Sequence, residues 1–196
     1  MTRMRLRTEF LPQDDRASWL ADLDELELIA DSAIRLVREE GTNEEQSQVD
    51  LDLLLRETVD DLVSAQLPVR LVATASGTVT ASPLSLRRAL RNLITNAATH
   101  GGGAEVVLSA DGPFLRVTVD DTGPGIPAAL MPHVFEPFFR VDPSRAKVVK
   151  GAGLGLAIAK EIIERLGGSI EIENRAGGGL RQTVVLVRQI VVSKAA

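Results

Sequence analysis

The run Leu115-Arg-Val117-Thr-Val119-Asp120-Asp121-Thr-Gly123-Pro-Gly125-Ile126 alternates apolar and polar side chains and then breaks into glycine and proline. Alternation with a period of two reads as a strand with one buried face, so Leu115, Val117 and Val119 point inward, Asp121 continues that face and Asp120 points away. A carboxylate carried into the interior needs hydrogen-bond donors. Gly123 and Gly125 remove side chains where a ligand has to approach closely or φ is positive.

Upstream, Asn92-Leu-Ile-Thr-Asn96 places two carboxamides four residues apart on one helix face, with Thr99 a turn further on. A helix-borne asparagine oxygen is a neutral ligand that completes an octahedral Mg²⁺ shell otherwise made of water and phosphate oxygens. Downstream come Phe135-Glu-Pro-Phe138-Phe139-Arg140 and Gly151-Ala-Gly153-Leu154-Gly155-Leu156. The three glycines open a helix with apolar positions Leu154, Ile158 and Ile162 that stops at Gly167-Gly168. Helix N-termini present free N–H groups and partial positive charge, and glycine lets phosphates reach them. The spacing Gly-x-Gly-x-Gly, with no mononucleotide βαβ unit around it, does not fit a dinucleotide fingerprint. Between Ile126 and Gly151 the chain is too long for a simple connector, which reads as a lid. It holds three of the five phenylalanines as a hydrophobic latch, and Arg140, Lys147 or Lys150 to meet phosphate charge, a choice that spacing leaves open.

The remaining elements follow from local signals. Val49–Leu51 reads as a short strand, 51–65 as a helix, and 69–73 and 78–80 as extended. Ser82-Pro83 gives an N-cap and a first-turn proline for the helix that carries the asparagines. Residues 106–110 and 114–120 pair around Asp111-Gly112-Pro113, and 170–173 pairs with 183–187 around Gly177-Gly178-Gly179. The expected fold class is an α/β (α+β) two-layer sandwich, a mixed and mostly antiparallel sheet with helices on one face.

Ahead of this, Trp19, Leu23, Leu26, Ala30, Ala33 and Val37 draw a stripe along one helix, and Met4, Leu6 and Phe10 supply the end of a partner helix across a turn at Pro12–Asp15. The expected organisation is a partial helical hairpin over 1–40, a polar linker over 41–48 and a globular domain over 49–192. Composition bounds the partners. A net charge of −5 gives no basic field for a nucleic-acid backbone. The absence of cysteine removes disulfides and thiolate chemistry. No apolar run approaches the roughly 18 residues of a membrane span, so no membrane contact is expected of this chain.

Any one glycine pattern alone is a weak sign. The four elements in this order and spacing, over residues 85–156, resemble the ATP-binding domain of the sensor histidine kinases, within the broader GHKL group that also holds the gyrase, Hsp90 and MutL ATPases. Thr2-Arg-Met-Arg-Leu-Arg-Thr-Glu9 looks like the segment just after the phosphoacceptor box of osmosensor-type kinases. The resemblance implies ATP and Mg²⁺ as ligands, Asn96 as the metal ligand with Asn92 its companion, and Asp121 as the reader of adenine. It implies nucleotide contacts from His100, Gly123, Gly125, Ile126, Phe135, Arg140, Lys147, Lys150, Gly151, Gly153, Leu154, Gly155 and Leu156. It further implies a homodimer through the hairpin, a response regulator receiver domain as partner, and a cytoplasmic setting behind a membrane-bound sensor.

The resemblance places the phosphoacceptor histidine upstream of Met1, so this chain is expected to bind ATP without phosphorylating itself. Hydrolysing relatives place a glutamate at the position of Asn92 to activate water, which favours a kinase over a GHKL ATPase. A non-catalytic scaffold of the same fold is the other alternative. Thr99, where the family often carries lysine or arginine, and Leu180, where it often carries threonine, depart from the pattern.

Overall fold

The structure, a computed structural model, describes residues 45–141 and 153–189 together with Trp19. The expected hairpin and most of the linker therefore lie outside the described residues. Trp19 itself is helical and 55% exposed.

The chain enters through β1 (Ser47–Asp50), two residues ahead of the expected start. Asp50 then caps α1 (Leu51–Ser64), its Oδ1 accepting from the backbone N–H groups of Asp52 at 3.0 Å and Leu53 at 3.2 Å. After β2 (Val69–Ala73) and β3 (Thr78–Ala81), Ser82 accepts from the Ser85 N–H and Pro83 opens α2 (Pro83–His100). The hairpin of β4 (Ala104–Asp111) and β5 (Phe114–Asp120) closes with Asp111 opposite Phe114. Past a short 3₁₀ turn at Met131–His133 come α3 (Gly155–Arg165), β6 (Ser169–Asn174) and β7 (Leu180–Val187).

Five strands form one sheet in the order β2-β4-β5-β7-β6, parallel only between β2 and β4, while β1 and β3 pair as a small separate ribbon. Alternation decides the faces. Val106, Leu108, Leu115, Val117, Val119, Ile170, Val184 and Leu186 turn inward and pack with Leu54, Leu55, Leu86, Leu90, Leu93, Ala97 and Ile163 of the helices in a single core. Charged and hydroxyl side chains such as Glu105, Arg116 and Thr118 take the other face. This is the expected two-layer sandwich with its helices on one face.

Polar side chains also enter that core, among them Thr58, which donates to the Leu54 carbonyl of its own helix at 2.7 Å, and Gln182. Gln182, fully buried on the inner face of β7, donates from Nε2 to the Leu93 carbonyl of α2 at 3.2 Å, while its Oε1 has no partner. Sheet and helix are thus joined by a directional bond as well as by apolar contact.

Candidate functional site

Period-two alternation along β5 carries Asp121 inward as expected, and it is 3% exposed. Its Oδ1 accepts from the Gly123 N–H at 2.9 Å and the Leu180 N–H at 3.0 Å, and its own N–H donates to the Leu180 carbonyl at 3.0 Å. Oδ2 makes no hydrogen bond among the described residues, so the carboxylate is fixed by one oxygen and offers the other. The main chain of Leu180 does this positioning. Its departure from the family's threonine leaves that contact intact.

Asp120 points the other way. Arg181 grips it through Nε at 2.8 Å and Nη2 at 2.6 Å, with Arg175 Nε 3.5 Å away. The hydrogen bonds from Arg181 hold the Asp120 carboxyl below its usual range against partial burial, with the charges of Arg181 and Arg175 adding to the effect.

The C-terminal end of α2 forms the adjoining wall. A Cβ on Gly101 would lie 2.3 Å from Cβ and Cγ of Asp121, and the Gly101 carbonyl accepts from Thr122 N at 3.2 Å and Oγ1 at 3.3 Å. His100, next to it, lies within electrostatic reach of both Asp121 and Arg140. Partial burial pushes its imidazole below the usual range, Arg140 adds to this and Asp121 opposes it. Further up α2, Asn92 and Asn96 are half-buried, and among the described residues neither carboxamide has a hydrogen-bond partner. Thr99 is exposed.

Asn92 faces the start of α3, where a Cβ on Gly155 would stand 3.8 Å from its Cβ and Cγ. Helix α3 opens at Gly155, with Leu154 as a buried N-cap that provides no side-chain cap. Its first N–H groups are therefore uncapped. Gly153, at φ +69°, accepts from the Phe138 N–H at 3.0 Å, and a Cβ there would lie 2.8 Å from the Phe139 carbonyl oxygen. The expected phenylalanine latch therefore divides. Phe135 packs against the core with Lys160 Nζ 5.0 Å over its ring, whereas Phe138 is 50% exposed at φ +65°. Phe139 contacts the ring of His133, which meets Glu136 at 2.7 Å. Leu156 packs against the core. Lys147, Lys150 and Gly151 lie outside the described residues, and Arg140 is half-buried.

Two residues at the site escape any reading of local spacing. Asn174 donates from Nδ2 to the Ile126 carbonyl and accepts at Oδ1 from the Ile126 N–H, both at 2.8 Å. Arg175 donates from Nη1 to the Asp121 carbonyl at 2.6 Å. Their partners are 48 and 54 positions away in sequence, so no periodicity announces them. A separate surface cleft, lined among others by Gln46, Thr80, Arg165 and Gln189, lies at the far end of β7 and contains none of the expected site residues.

A family model described as histidine kinase-, DNA gyrase B-, and HSP90-like ATPase matches residues 81–190. The chain is 39% identical over 191 residues to the sensor histidine kinase GtrS of Pseudomonas aeruginosa, covering 96% of this chain and 39% of that protein. Similar solved structures include the ATP binding domain of PrrB from Mycobacterium tuberculosis, at 28% identity and a TM-score of 0.61, covering 74% of this chain and 98% of that one. They also include the histidine kinase domain of the E. coli osmosensor EnvZ, at 30% identity and a TM-score of 0.59, covering 79% and 98%. The chain belongs to the histidine kinase-, DNA gyrase B- and HSP90-like ATPase family and carries the ATP-binding catalytic domain of a sensor histidine kinase.

Proposed function

We propose that this domain holds Mg-ATP and presents its γ-phosphate to a histidine on a dimerisation hairpin, from which the phosphoryl group passes to an aspartate of a response regulator. Asp121 accepts the adenine amino group at Oδ2, with His100 beside the base. The uncapped start of α3 at Gly153–Gly155 receives phosphate oxygens, and Arg140, Lys147 and Lys150 neutralise their charge. Residues 1–40 supply the end of the hairpin and its dimer seam, and the residues between them and β1 the linker.

The donor set at α2 suits magnesium. Carboxamide oxygens are hard neutral ligands, and among the described residues no group of three or more His, Cys, Asp or Glu would cage a metal alone. Asn96, with Asn92 as companion, would hold an ion whose remaining ligands are phosphate oxygens and water, and which offsets charge on those phosphates.

The observation that carries the reading is Asn92 set against Gly155. It puts a carboxamide, and not a water-activating carboxylate, where α2 meets the phosphate-binding helix. Phosphoryl transfer asks chiefly for positioning and charge stabilisation, which these residues supply. The test is calorimetry of the chain with Mg-ATP, followed by mixing with a separate hairpin that carries the acceptor histidine. Binding with label transfer to the hairpin supports the proposal. Steady phosphate release without transfer, or no binding, overturns it.

A further inference from the structure

We propose that Asn174 and Arg175 are positioning residues for nucleobase recognition: they template the 121–126 loop from behind, each gripping one end of it. The inference rests on the reading of Asp121 as the adenine acceptor.

A carboxamide carries one donor and one acceptor at nearly the separation found in a peptide group. Asn174 uses both on a single residue, pairing with the N–H and the C=O of Ile126 at 2.8 Å each. Strand β6 ends at Asn174, so the side chain does at the edge of the sheet what the next ladder rung would have done. The fit depends on Gly125, whose φ is +73° and where a Cβ would stand 2.5 Å from Asn174 Oδ1.

At the other end of the loop, Arg175 Nη1 reaches the Asp121 carbonyl at 2.6 Å. The turn that follows folds back on the same residue. Arg175 N donates to the Gly179 carbonyl at 3.0 Å, and a Cβ on Gly179 would lie 2.0 Å from the Asp121 carbonyl oxygen. The β6–β7 turn is thus a mould for the loop that aims the Asp121 carboxylate, although neither of its two gripping side chains reaches the pocket side of that carboxylate.

Asn174→Asp is close to isosteric and keeps the acceptor for the Ile126 N–H, but it removes the donor and sets a carboxylate against the Ile126 carbonyl. If the loop then holds its binding form a tenth of the time, the apparent Kd for ATP rises about tenfold. Because the loop aims the base-reading carboxylate, the preference for ATP over GTP should fall too, and the Ile126 amide should exchange its hydrogen faster. Arg175→Lys, which keeps the charge beside Asp120 but not the reach to the Asp121 carbonyl, should shift affinity and preference in the same direction. Folded variants with wild-type ATP affinity, ATP-over-GTP preference and Ile126 exchange would overturn the inference. If the wild-type chain binds no nucleotide, the kinase reading fails. Exchange at Ile126 then still decides the template, which stands if protection is lost in Asn174→Asp and falls if it is not. Should Asn174→Asp not fold, Arg175→Lys carries the same decision.

Discussion

Gly101 and Asp121 are packed so closely that a single methyl group on the glycine would come within 2.3 Å of the aspartate's Cβ and Cγ. The backbone at Gly101, with φ −99°, accepts any residue, so the constraint is contact alone. Gly101→Ala should cost about 1–3 kcal/mol of stability by overpacking and should displace the Asp121 carboxylate. A melting curve and ATP calorimetry check this. A variant with unchanged affinity would mean that the aspartate's position is not what binds the nucleotide.

Asp121→Asn keeps an oxygen to accept from the Gly123 and Leu180 N–H groups, so the loop should survive. What changes is the other oxygen, which becomes an amide that opposes the adenine amino group. ATP affinity should fall by roughly tenfold or more, as for a lost hydrogen bond to a charged group, and GTP affinity by less. Equal losses for both nucleotides, measured by competition, would argue against direct base reading.

Replacing Asn96 by Asp adds a charge to a half-buried face of α2 without changing its shape. The dependence of ATP binding on Mg²⁺ and Mn²⁺ concentration should shift, and metal-free ADP should bind more weakly because the new carboxylate repels its phosphates. A variant whose metal titration overlays the wild type would remove Asn96 from the metal's shell.

This chain should bind ATP yet not label itself. Its two histidines are His100, beside Asp121, and His133, held by Glu136 and Phe139. Neither should meet a γ-phosphate in line at the about 3 to 3.5 Å that transfer needs, since His100 adjoins the proposed base site and His133 is engaged by Glu136 and Phe139. Acid-labile, alkali-stable label retained by the chain alone, after incubation with γ-labelled ATP, would assign one of them as acceptor.

Acid should expose the contribution of the Asp120–Arg181 pair. The folded-state pKa of Asp120 is held below its ordinary 3.8, so the pair's stabilisation is present above that value and is lost as pH falls through the depressed folded value. Both side chains touch solvent, which limits the pair to about 1 kcal/mol or less. Urea titrations of Arg181→Ala and wild type should therefore differ slightly at pH 7 and converge near the acid end. A gap that widens on acidification would contradict the assignment.

Much of the fold could be read because its rules are local. Leu115, Val117, Val119 and Asp121 follow a period of two, Ser82-Pro83 announces a helix start, and Asp111-Gly112-Pro113 announces a turn. The limits of the strands do not follow from local rules. β7 begins at Leu180, not at Thr183, because the Arg175–Gly179 hydrogen bond closes the glycine turn early and frees three more residues to pair. Helix α3 starts only at the last of its glycines, since Gly153 is occupied in the left-handed region by its contact with Phe138 and Phe139. No local signal singles out Gly101 or Asn174. Their importance comes from partners that only the folded sheet brings near.

The lone carboxamide of Gln182 has a consequence for how the layers meet. Apolar surfaces tolerate sliding, because one leucine contact is much like another, but the bond from Gln182 to the Leu93 carbonyl exists at one setting of α2 against the sheet. At any other setting the buried Nε2 would lose its partner as well, Oε1 having none already, a cost of about 1–3 kcal/mol for a stranded donor. Gln182 therefore acts as a key that admits a single register of the helix. Leu93 stands beside Asn92, so the register it selects is the one that sets Asn92 against Gly155 at the start of α3.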